Sequence, residues 1–247
     1  MNYCLLGTIV EAVSGERFDR YMTNHVYAPM GLSCSFNVAS MPPEIRAQVG
    51  TLYRRIRADG AYDPVSGTWV PQCDDFSEGW PEEEWQGYVI GTNGSLFGPM
   101  GSLRVSIREL CRIMQMFCSG GCLNGVSILK PETIGRMFAP AWTFDPERHN
   151  GDTYGGLMNC YGLGPHIFTN RDMGDRLVAN RDLAFAGHTA EAYGLVGGMG
   201  FDRQKGNGIV YYLAGLGSDP ARFPGTYSAF YGWEEALLTA AAEYAQF

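Results

Sequence analysis

The stretch that most limits what this chain can fold into runs from Phe185 to Leu213. Leu195 to Phe201 is small and apolar, Asp202-Arg203-Gln204-Lys205-Gly206 is polar, and Ile209 to Leu213 is β-branched and aromatic. Two such runs joined by a short Gly-containing turn read as an antiparallel hairpin. Ahead of them lies Phe185-Ala186-Gly187-His188-Thr189-Ala190-Glu191-Ala192-Tyr193-Gly194. Its histidine, threonine and small residues predict an edge strand with exposed backbone N–H groups near a cleft. By itself His188 reads either as a hydrogen-bonded structural residue or as part of a site.

With 247 residues, 45% of them hydrophobic and 18% charged, the chain is long enough for one substantial core or two modest ones. The net charge of −8, with no basic stripe, argues against nucleic acid as a partner. No apolar run of ~18 residues is present to span a membrane. No charged segment followed by an apolar one opens the chain, so no signal peptide is visible, and the compartment stays unknown. The seven cysteines (4, 34, 73, 111, 118, 122 and 160) are odd in number and lack ligand spacing. They point to free thiols in a reducing compartment and to no metal site or cofactor.

Residues Leu5, Leu6, Ile9, Val10 and Val13 recur at helical spacing, and Ser14-Gly15 ends the run. This reads as a buried helix that starts with no preceding cap. Glu16 to Val26 predicts a second helix, closed by Ala28-Pro29-Met30-Gly31. Residues 33 to 95 are less regular, with a short strand at Thr51 to Ile56, turn signals at Asp59-Gly60 and Asp63-Pro64, and an acidic, Trp-rich segment from Asp74 to Trp85. Trp69, Trp80 and Trp85 either line a pocket or pin this loop to a core. Order resumes at Gly91 to Leu103. Ser106-Ile107-Arg108-Glu109 is a capping box opening a helix that buries Ile107, Leu110, Cys111, Met114 and Phe117. An extended run, Val126 to Leu129, precedes Pro131 at the first position of another helix. Tyr161 to Gly164 begins a strand, and Trp233 to Tyr244 is a closing helix rich in strong helix formers. The order predicts an α/β (α+β) fold with an antiparallel sheet flanked by helices. Its parts are 1–32, a helical and loop-rich portion at 33–160, and the sheet with the closing helix at 161–247, interlocked as one domain.

Four places resemble the serine β-lactamase and penicillin-binding-protein superfamily, in its class C and esterase branch. Tyr3 to Gly15 resembles the helix after that family's Tyr-Ser-Asn motif, and Ala28-Pro29-Met30-Gly31-Leu32 resembles its Pro-Leu-Gly-Met turn. Pro99 to Leu110, with Gly120-Gly121 and Ile128 to Thr133, resembles its Gly-Gly-Leu segment and the helices that follow. Gly187-His188-Thr189-Ala190-Glu191 resembles the His-Thr-Gly version of its Lys-Thr-Gly strand. Together they span nearly the whole chain.

The resemblance implies acyl transfer on a small acyl substrate. A serine one helical turn before a lysine attacks a carbonyl, and two backbone N–H groups hold the oxyanion. Carried over, His188 and Thr189 are the candidate catalytic residues, orienting the substrate or polarising the proton shuttle. Ala190 and Glu191 are the candidate oxyanion and substrate-binding residues, the N–H of Glu191 being one donor. Ala190 stands where the family usually has glycine, and the Glu191 carboxylate narrows or charges the site. The resemblance also places the nucleophile and the Tyr-Ser-Asn motif upstream of Tyr3. Ser127-Ile128-Leu129-Lys130 matches Ser-x-x-Lys only as a string, because Pro131 keeps Lys130 out of helical geometry. Two functions follow: a β-lactamase-related serine hydrolase represented by its C-terminal part, or a non-catalytic shortened relative that binds a ligand or partner. Apolar surface on Leu5, Leu6 and Ile9 and an open sheet edge are expected to drive dimerisation or aggregation.

Overall fold

The structure, a computed structural model, describes residues 2–81, 85–92, 96–171 and 174–245. Residues 82–84 of the acidic, Trp-rich segment and 93–95 of the stretch from Gly91 to Leu103 lie outside the described residues. In chain order the elements are α1 (Asn2–Ser14), α2 (Phe18–Met22), α3 (Pro43–Arg46), β1 (Leu52–Ile56), β2 (Thr68–Cys73), α4 (Ile107–Cys118), β3 (Cys122–Leu123), β4 (Val126–Ser127), α5 (Pro131–Met137), β5 (Trp142–Thr143), β6 (Cys160–Tyr161), β7 (His166–Ile167), β8 (Ala186–Ala192), β9 (Leu195–Asp202), β10 (Asn207–Ala214) and α6 (Gly232–Ala245). The fold is mixed helix and antiparallel sheet, as the sequence predicts. Among the described residues no helix is long and apolar enough to cross a membrane, and no disulfide joins the cysteines.

One compact unit comprises Met1–Thr51, Asp74–Arg112 and Cys122–Ile128. Helix α1 forms where the periodicity predicts it and ends at Gly15, whose φ of +73° suits the residue after a helix. Its inward side, however, carries Gly7 and Glu11. The Glu11 carboxylate accepts the N–H of Phe18 at 2.8 Å and of Gly91 at 2.9 Å, together with the Tyr88 hydroxyl. Gly7 has no side chain to hold off Pro99 and Phe18. Leu5, Leu6, Ile9 and Val13 consequently face outward, 48–84% exposed. The second predicted helix begins at Phe18, passes through a π turn (Thr23–Tyr27) and a 3-10 turn (Ala28–Met30), and stops at left-handed Gly31. The capping box is formed as predicted: Ser106 Oγ accepts the Glu109 N–H at 3.2 Å, and a Glu109 carboxylate oxygen accepts the Ser106 N–H at 3.1 Å. Trp80 packs on Phe76, with Arg46 over its ring, so it pins its loop; Trp85 is exposed.

The other unit comprises Leu52–Cys73, Ile113–Gly121 and Leu129–Phe247. Its six-stranded sheet has the order β10-β9-β8-β7-β6-β5. The predicted hairpin is β9 with β10, in unbroken register from Asn207↔Asp202 to Ala214↔Leu195. One face packs on α6 through a core that includes Phe168, Leu177, Phe185, Tyr211, Phe230 and Leu238. On the other face Phe201 meets Phe117 and Phe138. Within α4, Met116 is the buried residue, whereas Ile107, expected inside, is exposed. The strand predicted at Thr51 to Ile56 is β1, and its partner is β2.

Candidate functional site

Strand β8 carries every residue that the sequence singles out. It pairs with β9 over its whole length, from Ala186↔Phe201 to Ala192↔Leu195, but with β7 only at Ala186 and Gly187. It is therefore interior at its start and open-edged from His188 onward, rather than an edge strand throughout. Tyr193 and Gly194 form the two-residue turn into β9, with φ of +56° and +80°. That is the twist-matched hairpin turn, in which the flanking pair Ala192–Leu195 exchanges both backbone hydrogen bonds. Alternation from that pair points the backbone groups of Glu191, Thr189 and Gly187 away from β9. Gly187 meets His166 of β7 on that side. Thr189 and Glu191 therefore present their N–H and C=O groups along the open edge.

Side chains alternate across the strand. Thr189 lies on the Gly187 side, where it lines a small cavity with Gly198, Tyr211 and Phe230. His188, which also contributes to the lining of that cavity, alternates to the opposite face of the strand and is exposed. The edge of the Tyr161 ring stands 6.4 Å from it between centroids. Desolvation by the surrounding protein, with a smaller contribution from His166, holds the His188 imidazole below its usual range, so it is neutral at pH 7. Ala190 and Glu191 are both exposed.

The end of the strand is braced from β1. A Cβ at Gly194 would lie 2.2 Å from the Tyr53 carbonyl oxygen, so only glycine admits this approach. Arg54 stacks over Tyr62 with its guanidinium 5.1 Å from the ring centroid, and its Nη2 stands 3.6 Å from Glu191 Oε1. Burial and the nearby carboxylates of Glu191 and Asp219 raise the Tyr62 phenol, against the pull of Arg54. Tyr231 is pushed up to about 12, first by burial and then by Glu191 and other acidic neighbours. The open edge thus ends in an acidic, tyrosine-lined rim with one guanidinium.

The start of the strand is braced from β7. His166 and Asp175 are both fully buried and paired, Nε2 to Oδ2 at 3.2 Å. Asp175 also accepts the N–H and hydroxyl of Thr169 at 2.8 and 2.6 Å. Burial works to raise its carboxyl, yet these bonds keep it below its ordinary value. Sequence reading missed Arg54 and the His166–Asp175 pair. An arginine at the centre of a short strand is a signal for the first; nothing local marks the second. Ser127 lies in β4, and Lys130 has extended backbone (φ −75°, ψ 147°), so the Ser-x-x-Lys string has no helical geometry. Among the described residues no three His, Cys, Asp or Glu side chains gather as a metal site.

A family model described as Beta-lactamase matches residues 1–231. No curated protein matches the chain. Among solved structures, the chain is similar to an octameric penicillin-binding protein homologue from Pyrococcus abyssi, with TM-score 0.56 and 19% identity over 99% of this chain and 41% of that one. It is similar to simvastatin synthase from Aspergillus terreus, with TM-score 0.55 and 17% identity over 98% and 53%. A D-stereospecific amidohydrolase from Streptomyces sp. gives TM-score 0.54 and 14% identity over 100% and 54%. The likeness is one of fold, and the chain spans about half the length of these proteins.

Proposed function

The chain belongs to the β-lactamase family, and from that premise we propose that it is the His-Thr-strand portion of a serine hydrolase that transfers acyl groups from esters, amides or β-lactams. The observation that carries this reading is the open edge of β8, where register turns the Thr189 and Glu191 backbone outward beside an exposed, neutral imidazole. In the proposed mechanism the Glu191 N–H donates to the oxyanion formed when a serine attacks the substrate carbonyl. Neutral His188 hydrogen-bonds the substrate or the proton-shuttling group and carries no fixed charge. Histidine in place of lysine favours the esterase-like branch. Thr189 acts through its backbone at the edge, while its side chain, beside Gly198 and Tyr211, seats the strand.

The attacking serine is assigned outside residues 1–247, because the one Ser-x-x-Lys string that was a contender is extended. The same observation favours the second reading, a non-catalytic relative that binds an acyl ligand or partner. Intact mass after fluorophosphonate treatment separates them. Residues 1–247 alone are expected to gain no label, and the protein from its native source to gain one. Failure of the native protein to label would leave the non-catalytic reading. A stoichiometric label on a serine within 1–247 would overturn the assignment of the nucleophile.

A further inference from the structure

We propose that Asn124 is a site of spontaneous deamidation, at which the turn between β3 and β4 converts to isoaspartate and unlatches that hairpin. The chain holds four Asn-Gly pairs. Glycine after asparagine favours this chemistry, because no side chain shields the following nitrogen from the asparagine carboxamide. Asn93-Gly94 lies outside the described residues, and the fold treats the other three differently.

Asn124 and Gly125 form the two-residue turn between the paired Leu123 and Val126, with φ of +51° and +82°, and both are exposed. Among the described residues no hydrogen bond holds the Asn124 carboxamide or the Gly125 N–H. Asn150 is exposed as well, but its carboxamide is tied at both ends. Its Oδ1 accepts the Asp145 N–H at 2.8 Å, and its Nδ2 donates to the Thr143 carbonyl at 3.0 Å. The Asn150 carbonyl accepts the Trp142 Nε1–H at 3.2 Å, and Gly151 lies against the Trp142 ring. Asn207 is tied by its backbone, since it and Gly208 are in register with Asp202 and Phe201 in the β9–β10 ladder. Its Oδ1 is buried.

In the proposed step the Gly125 nitrogen attacks the side-chain carbonyl carbon of Asn124. A C–N bond forms, the bond to Nδ2 breaks, and ammonia leaves with the proton that the Gly125 N–H gives up. Water then opens the succinimide ring at either carbonyl, leaving aspartate or isoaspartate. The turn must open briefly for the nitrogen to reach the side chain. That opening is easy, because β3 and β4 are two residues each. Isoaspartate routes the backbone through the side chain and so lengthens a turn built for two ordinary residues. The pairing of Leu123 with Val126 is then lost, and buried Leu123 loses its anchor.

The test is peptide mapping of the folded protein during incubation at mildly alkaline pH, with a parallel sample in concentrated urea. In the folded sample the Asn124 peptide should convert about ten-fold or more faster than the Asn150 and Asn207 peptides, which must first give up their hydrogen bonds. In urea the three should react at similar rates, since each is followed by glycine. Amide exchange at Leu123 and Val126 should be faster in the isoaspartate fraction than in the parent. N124D, which brings the carboxylate without the longer backbone, should keep the slow exchange. The proposal is overturned if Asn124 reacts no faster than Asn150 in the folded protein, or if urea leaves the same margin between them. Unchanged exchange in the isoaspartate fraction, or fast exchange in N124D, would overturn the unlatching.

Discussion

Among the described residues, the same sheet leaves β8 without a second strand neighbour beyond Gly187 and has β10 as an end strand. Their surroundings differ. The β8 edge is flanked by His188, Glu191, Arg54 and a tyrosine rim, and it is braced at both ends by close contacts. The β10 edge carries no charge and is braced only through its faces. A ladder of N–H and C=O groups does not by itself say what an edge receives. Charged neighbours and end-bracing keep a short edge open and exclude a long partner. The comparison can be broken by removing the braces one at a time.

The largest effect is expected at the start of β8. D175A leaves the fully buried His166 ring nitrogen without its partner and removes the acceptor of both donors of part-buried Thr169. The cost should be about 3–5 kcal/mol, read from urea unfolding, with faster amide exchange in β7 and β8. Because the folded carboxyl is held below its ordinary value, its contribution is present above the unfolded pKa and lost as pH falls through the folded one. D175A should therefore lack the part of the acid transition below about pH 4 that the parent shows. A cost under about 1 kcal/mol would mean that β7 does not brace the edge.

Next in size is the other end. G194V puts a β-branched residue at φ +80° and a Cβ against the Tyr53 carbonyl, so it should cost about 3 kcal/mol. If the brace sets the open edge, exchange should rise at Ala192 and at the Ala190 amide, which bonds to β9, before it rises in β10.

How far these braces were legible in the sequence follows from where their partners sit. The β9–β10 hairpin, the Ser106 capping box and the stop at Gly15 are written in residues a few positions apart, where local chemistry is the whole cause. Strand β2 was missed because Thr-Trp-Val-Pro-Gln-Cys carries Pro71 and weak alternation, and only β1 makes it a strand. The periodicity of α1 is correct, yet the inward side is set by Glu11, whose hydrogen-bond donors come from Phe18, Tyr88 and Gly91. Satisfying a buried carboxylate outweighs turning a leucine stripe inward. His188 to Glu191 were visible through the family resemblance, whereas Arg54 reaches Glu191 from 137 positions away in the chain. The register that turns Glu191 outward needed the Tyr193-Gly194 turn, which is local and was readable.

A comparable figure, seen only as a pH dependence, tests the backing of β10. The Tyr211 hydroxyl donates to Glu234 Oε1 at 2.6 Å, and burial raises the Glu234 carboxyl to about 7. A raised folded pKa means that the stabilising protonated form is fully present below the unfolded value, near 4.5, and is lost as pH rises through about 7. Stability should fall across that window by on the order of 3 kcal/mol in the parent. E234Q, which keeps an oxygen acceptor for Tyr211, should show a flat Tm over the same range and exceed the parent at pH 8. An unchanged profile in E234Q would assign the pH dependence to another group.

The smallest effect on stability belongs to the rim, and it separates the two edges most sharply. Arg54 and Glu191 are 3.6 Å apart and are 28% and 35% exposed, so solvent screens the pair. R54A should cost less than about 1 kcal/mol. The Tyr62 phenol, however, is raised by burial, Glu191 and Asp219 and lowered only by Arg54. Removing the guanidinium should therefore move Tyr62 ionisation to higher pH in an ultraviolet titration, with the β10 amides unaffected. Small stability loss with a shifted phenol means that the rim tunes the electrostatics of an edge already held open by its braces. A loss of several kcal/mol with exchange rising along β8 would instead make the rim part of the scaffold. The β8 edge would then be held by charge rather than by packing, and the contrast with β10 would lie in side-chain polarity alone.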